Sequence, residues 1–367
     1  MKNQLLIIIL LLSLISACSS PKQIPVVATS FGFASEKALS IPTTDQVSVF
    51  ESLPEDDLVM MTLTTNLSKV LREKQNPAYQ PASLKYVDRS SNEKEWNIKI
   101  KPRGNMRRKT CYYPPLKLKF SKKDLREQGL KEIKTMKVAM KCQSRDSYDQ
   151  LLIREFVAYK IYNILTDQSF QAKLGKMRIE DSEGKKDPFT SYAILIEHEK
   201  EMASRINGRL MESKHTSKGA LVHDAYDRMS LFQFMIGNTD WHIYNRHNLK
   251  MVHIEGESFL TPVAYDFDYA GLVNAPYAVP KPGRNISDVT ERFYQGACRS
   301  KEDYEKLLQP FRDKKGEIMD FCENFPHLDN SSRKYILKYL GSFYEIIENP
   351  RKTKRFILKH CDKDVAK

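Results

Sequence analysis

The sequence predicts an α+β chain of two lobes, strand-rich over residues 46–198 and helix-rich over 199–367, with a site in the cleft between them. Three observations lead there. In Trp96–Pro102, the apolar Trp96, Ile98 and Ile100 alternate with Asn97, Lys99 and Lys101, the period of a strand with one buried face. After residue 198 the apolar residues fall at helical spacing, as do Ala225, Met229, Phe232 and Ile236. Where the two patterns meet, Leu231–Leu272 breaks an apolar helix end with the turn Gly237-Asn238-Thr239-Asp240. It then opens a strand at Asn248 and ends another on Asp266 and Asp268. At 367 residues, 41% hydrophobic and 29% charged, the chain can bury a core and is too apolar for wholesale disorder.

The first residues read as a targeting segment. Lys2 gives a positive start, Leu5 to Ile15 an apolar run too short to span a bilayer well, and Ser16-Ala17-Cys18 a small-residue cleavage site. This resembles the bacterial lipoprotein signal. It implies a signal peptide at 1–17, lipidation of Cys18, and a protein held in the bacterial cell envelope. Ser19 after the cysteine favours the outer membrane, facing the periplasm or the cell surface. Residues 18–45, rich in Ser, Pro and Thr and without period, read as a tether.

Taken in order, strands are predicted at Leu58–Leu67, Ala82–Val87, Trp96–Pro102, Leu116–Phe120 and Met136–Lys141, with a short helix over Ser68–Lys74. The loop after Trp96–Pro102 begins Arg103-Gly104-Asn105 and turns basic. A helix follows at Tyr148–Leu165, its apolar face carrying Leu152, Phe156 and Tyr159 beside Glu155. Strands at Lys173–Ile179 and Ser191–Glu197 flank the turn Asp181-Ser182-Glu183-Gly184. In the second half, helices are predicted at His223–Ile236, Lys301–Lys314, Lys315–Asn324 and Ser331–Cys361, with a Pro-rich irregular stretch at Val273–Ser300.

The net charge of +13 raises nucleic acid as a partner, yet the basic residues are interleaved with acidic ones and no nucleic-acid module is present, so that class is set aside. Five cysteines follow Cys18, without CxxC or Cys/His ligand spacing, so a structural zinc site is not expected. Cys111 and Cys142 can bridge neighbouring strands, and the sequence leaves the pairing open. His242 and His247 flank the loop near Asp240, but two histidines without a third neutral ligand make a poor zinc site.

An aspartate, an asparagine a few residues on and an aspartate closing the next strand are what phosphoryl-transfer sites use. Ile236–His242, Asn248–Val252 and Ala264–Asp268 together resemble the catalytic region of the CotH-like and HipA-like atypical kinases. Arg103-Gly104-Asn105 is similar to the CotH-like Arg-Gly-Asn turn. Tyr192–Glu197 and Asp146–Arg154 match further motifs in part. The resemblance implies a two-lobed protein-kinase-like fold. It also implies Asp240 as the catalytic aspartate, Asn248 (or Asn245, three residues earlier) and Asp266 as metal ligands, and Asp268 as a second acidic ligand. The resemblance leaves the nucleotide lysine unassigned, since Tyr112-Tyr113-Pro114-Pro115 stands where a CotH-like lysine pair would; by order and separation along the chain Lys141 with Glu155 would grip the nucleotide, with Lys117 and Lys119 as rival lysines, and Arg103 and Gly104 would cover it. Mg²⁺ or Mn²⁺ and ATP are the implied cofactor and donor, with a protein or small molecule as acceptor. The alternative is a lipoprotein of the same fold that binds a ligand or envelope partner and catalyses nothing.

Overall fold

Seven strands close into a barrel. In the computed structural model, which describes residues 46–55 and 58–362, these are β1 (Val59–Thr65), β2 (Gln80–Val87), β3 (Glu93–Pro102), β4 (Leu116–Lys119), β5 (Thr135–Met140), β6 (Ala172–Asp181) and β7 (Phe189–Ile196). Their order is β1-β2-β3-β4-β5-β7-β6, and β6 returns to pair with β1. That closing pair is parallel, with Val59 opposite Gly175 and Thr65 opposite Asp181, whereas the other neighbours run antiparallel. Trp96, Ile98 and Ile100 of β3 point inward, where Leu84, Leu118, Val138, Met177 and Phe120 meet them. The alternation of residue types along each strand thus becomes an inside and an outside.

The second half is not wholly helical. A three-stranded antiparallel sheet, β8 (Gly208–Leu210), β9 (Leu249–Ile254) and β10 (Leu260–Ala264), runs in the order β10-β9-β8. The longer helices, labelled in chain order, are α1 (Ser147–Leu165), α2 (His223–Ile236), α3 (Lys301–Asp313), α4 (Lys315–Asn324) and α5 (Asn330–Ile347). Helix α1 packs on β5, β6 and β7 and also against α4 and α5, so one apolar cluster runs from barrel strands into the helices. All described residues belong to one compact unit beginning at Gln46.

A closed barrel with helices replaces the expected two-lobed kinase-like fold with a strand-rich lobe and a helical one. The physical reason is that strand periodicity reports a buried face, not which strands meet. The β1–β6 pairing joins segments more than a hundred residues apart, and nothing local records it. Two smaller corrections follow the same logic. The helix predicted over Ser331–Cys361 stops at Ile347, because Asn349 caps a new short helix through the amides of Arg351 and Lys352, with Pro350 at its start. The basic loop after Asn105 contains a helix, Met106–Thr110, that polar composition concealed.

Disulfides join Cys111 to Cys142 and Cys298 to Cys361, while Cys322 is free and buried. The expected signal, Cys18 and the tether lie outside the described residues. Among the described residues no helix is long and apolar enough to cross a membrane.

Burial has one titration consequence here. Glu201 lies at 8% exposure, and burial pushes its carboxyl up to about 7 from an ordinary value of 4.5. With the folded value above the unfolded one, the folded state holds the extra proton. Its contribution is therefore complete below about pH 4.5 and lost as pH rises toward 7. The expected result for Glu201→Gln is a gain of about 1–2 kcal/mol at pH 8 and little at pH 4.5, read from urea unfolding. Equal effects at both pH values would contradict it.

Candidate functional site

One cavity of about 320 Å³ gathers residues from distant parts of the chain. Arg103, Gly104 and Arg107 reach it from the segment after β3, Glu155 from α1, and Asp240, Asn245, His247 and Asn248 from the loop between α2 and β9. Tyr265, Asp266 and Asp268 come from the end of β10. The local sequence explains how each is delivered. Helix α2 ends on Gly237 at φ 66°, a left-handed residue that turns the chain toward Asp240. Asn238 Oδ1 then accepts from the Asp240 N–H at 3.0 Å, tightening the turn.

A narrow backbone ladder between His242 and His247 closes the following loop. Asn248, at φ 53°, opens β9 and donates its amide to the Asp240 carbonyl at 2.8 Å and to Asp240 Oδ2 at 3.1 Å. His247 Nε2 lies 3.0 Å from Asp240 Oδ1. That hydrogen bond raises the imidazole above its ordinary range, against the effect of burial. Asp240 is therefore held in one orientation from two sides. Asn245 uses its own Oδ1 to accept the His247 N–H.

Asp266 adopts φ 67°, a conformation asparagine and aspartate tolerate better than most residues, and its N–H donates to the buried Tyr159 hydroxyl at 2.9 Å. Among the described residues its carboxylate has no hydrogen bond or ion pair. Asp268 differs: Tyr277 donates to its Oδ2 at 3.1 Å, and Arg107 Nε is 3.8 Å away. Burial, with Asp266 adding to it, drives the Asp268 carboxyl well above its ordinary value against the pull of Arg107.

Arg107 sits at the centre. It donates to Glu155 Oε2 at 3.1 Å and to the Met140 carbonyl at 2.8 Å. Burial opposes its charge, but Tyr277, Glu155, Asp268 and Asp266 outweigh that and hold the guanidinium above its ordinary value. Glu155 is pushed up to about 7 by burial, against Arg107 and with Asp266 adding to the rise.

Nothing in the sequence marks Arg107, whose partner Glu155 is 48 residues away. Chain order puts Lys141 beside Glu155, but Lys141 stands elsewhere: its ammonium is 3.1 Å from Asp149 and 3.4 Å from Asp146. The reason is that β5 ends at Met140. One residue further on, the Lys141 N–H donates to Ser191 Oγ and its side chain meets the first turn of α1. Arg103 makes no side-chain hydrogen bond or ion pair among the described residues, so it is a cation free to meet an anionic ligand.

The donor set bears on a divalent ion. Among the described residues no three His, Cys, Asp or Glu side chains cluster closely enough to hold a metal. Asp266 and the Oδ1 of Asn248 are hard oxygen donors on one cavity wall. Mg²⁺ commonly binds through one or two carboxylates and completes its shell with water and substrate phosphate. The residues fit an ion that arrives with a phosphate, not one caged by protein alone.

No protein-family model matches this chain, and no curated protein matches it.

Proposed function

We propose that the cavity binds a nucleoside triphosphate with Mg²⁺ or Mn²⁺ and transfers a phosphoryl or nucleotidyl group to an acceptor hydroxyl. The observation that carries this reading is the lining of one cavity by Arg103 and Gly104 together with Asp240, Asn248 and Asp266. The local resemblance of 236–272 to CotH-like and HipA-like sequences supports it as a set of motifs, independent of their fold. Arg103 binds phosphate oxygens, for which a guanidinium fork is suited. The Gly104 backbone, at φ 84°, allows close approach. Asp266 and the Asn248 Oδ1 would hold the cation, which would neutralise charge building on the phosphates. Asp240, fixed by His247 and Asn248, orients the acceptor hydroxyl and takes its proton.

A second reading rests on a specific observation. Among the described residues Glu155 holds Arg107 and no lysine, so the lysine–glutamate grip expected from chain order is not made. A ligand-binding protein without transfer accounts for that. Anchoring in the envelope through Cys18 belongs to both readings; the two disulfides support it, since such bonds persist in oxidising compartments.

Calorimetric titration of the full chain with ATP and Mg²⁺ tests the proposal, alongside measurement of phosphate release. Binding is expected, weakened on the order of 10-fold or more by Asp266→Ala and by Arg103→Ala. Absence of binding would overturn the nucleotide reading. Binding without group transfer to any hydroxyl compound or water would favour the second.

A further inference from the structure

The outer face of the barrel carries lysines in opposition. Lys99 of β3 pairs directly with Lys119 of β4, and Lys101 with Lys117. Lys117 in turn pairs with Lys137 of β5. Like charges directly across a sheet destabilise it, and acidic neighbours would relieve that. Among the described residues only Lys137 has one, Glu199 at 2.9 Å. Lys99, Lys101, Lys117 and Lys119 form no ion pair among the described residues. Such an arrangement costs stability in the free protein and is offset when an anion lies across it.

Beside these lysines runs a groove of about 780 Å³ lined by Ser83, Asn97, Lys99, Lys119 and Lys134. Ser83 and Asn97 make no side-chain hydrogen bond among the described residues, so the groove offers unused hydroxyl and amide groups among its cations. The row Lys101-Lys117-Lys137 leads from this face toward the cavity. Lys137 Nζ is 5.1 Å from the centre of the Tyr265 ring, Lys250 lies 5.8 Å from the same ring, and Tyr265 adjoins Asp266.

The chemistry of the face discriminates among anionic partners. Single-stranded nucleic acid needs open aromatic platforms for its bases. Of the aromatic rings here, Phe120 beneath the groove is buried and Tyr79 beside it is covered by Lys101 at 4.8 Å and Lys119 at 5.0 Å. A lipid surface or an acidic protein would need apolar anchors. The large exposed apolar residues, among them Met60, Met106 and Phe259, do not line this groove. What remains is a partner carrying both negative charge and many hydroxyls.

We propose that the lysine-bearing face of β3 and β4, with the Ser83–Asn97 groove, binds an acidic polysaccharide. The sugar carboxylates meet Lys99 and Lys119, and ring hydroxyls meet Ser83 and Asn97. Because the row ends at Tyr265, a bound chain extends to the mouth of the cavity. The surface goes beyond the nucleotide reading and does not depend on it.

The test uses the full chain with oligogalacturonate as probe, against neutral dextran, inorganic polyphosphate and a single-stranded oligonucleotide of matched charge. Binding to oligogalacturonate and none to dextran is expected. Lys99→Glu with Lys119→Glu is expected to weaken binding roughly tenfold or more, and Lys99→Gln with Lys119→Gln by less, since each removes exposed ion pairs. Ser83→Ala with Asn97→Ala is expected to weaken the sugar polymer several-fold and leave polyphosphate unchanged. No binding to oligogalacturonate overturns the proposal. So does equal binding to polyphosphate and oligonucleotide that ignores the Ser83 and Asn97 changes, which would leave only a field of positive charge. Lys119, a rival for the nucleotide lysine by sequence, lines the groove with Lys99, Ser83 and Asn97, and none of the four lines the cavity; affinity for ATP and Mg²⁺, measured on the same variants, is therefore expected to stay unchanged, so failure here is distinct from failure of the nucleotide reading.

Discussion

Replacing Arg107 by alanine is expected to destabilise the protein by about 3–5 kcal/mol, the scale seen when one partner of a buried ion pair is removed. Arg107, Glu155 and Asp268 are 8%, 2% and 5% exposed, and the guanidinium is the cation that both carboxylates share. Without it, two acidic groups stay buried against each other with Asp266 nearby, and they respond by holding protons. The folded carboxyls then lie still further above their unfolded values. The deficit of the variant should accordingly grow as pH rises from 5 to 8. Urea unfolding at both pH values gives the number, and adding Glu155→Gln to Arg107→Ala should recover part of the loss. A deficit below about 1 kcal/mol at pH 8, typical of exposed pairs, would show that the cluster is wetter than its burial implies.

Gly237→Ala is expected to cost about 2–4 kcal/mol, combining a left-handed backbone with an overpacked contact. At φ 66° any Cβ is strained, and at this position it would collide with the Tyr339 hydroxyl. That hydroxyl is not free to leave, since it donates to the Thr290 carbonyl at 3.0 Å. The Gly237 carbonyl also accepts from the Gly271 N–H at 3.1 Å, so displacement passes to the segment after Asp268. Both thermal unfolding and ligand affinity should therefore suffer. Tyr339→Phe in the same chain should restore part of the stability by removing the colliding atom. If it restores none, the cost lies in the backbone angle alone.

Much of the site's composition is legible in the sequence because it lies in short segments. Asp240, Asn248 and Asp266 fall within thirty residues, and their order along turn, strand and strand is visible without knowing the fold. Glu155 is marked as a single acid in a run of apolar residues, Phe156–Tyr159, all of which the structure buries with it. Arg107 is not marked at all: among Met106–Thr110 it is one basic residue of three, and only burial against α1 singles it out. Lys141 fails for the complementary reason, since order along the chain cannot say that β5 ends one residue too early. Within the fold, β3 is declared by period and α1 by its length and apolar content, since it is buried on nearly all sides, and the capping of α2 by glycine is local chemistry. Barrel closure is a relation between distant strands, and the expected two-lobed division could not have been distinguished from it by period.

The parallel pairing of β1 with β6 also sets an order of assembly. Residues 59–65 can hairpin with β2 as soon as both exist, but their other edge has no partner until residues 175–181 arrive. Pairings between distant segments form slowly. Until β6 docks, the chain presents an unpaired strand edge to its neighbours. Gly175 marks how close the final approach is, since a Cβ there would lie 3.1 Å from the Val59 carbonyl oxygen. The barrel thus cannot close around β1 until β6 has docked beside it.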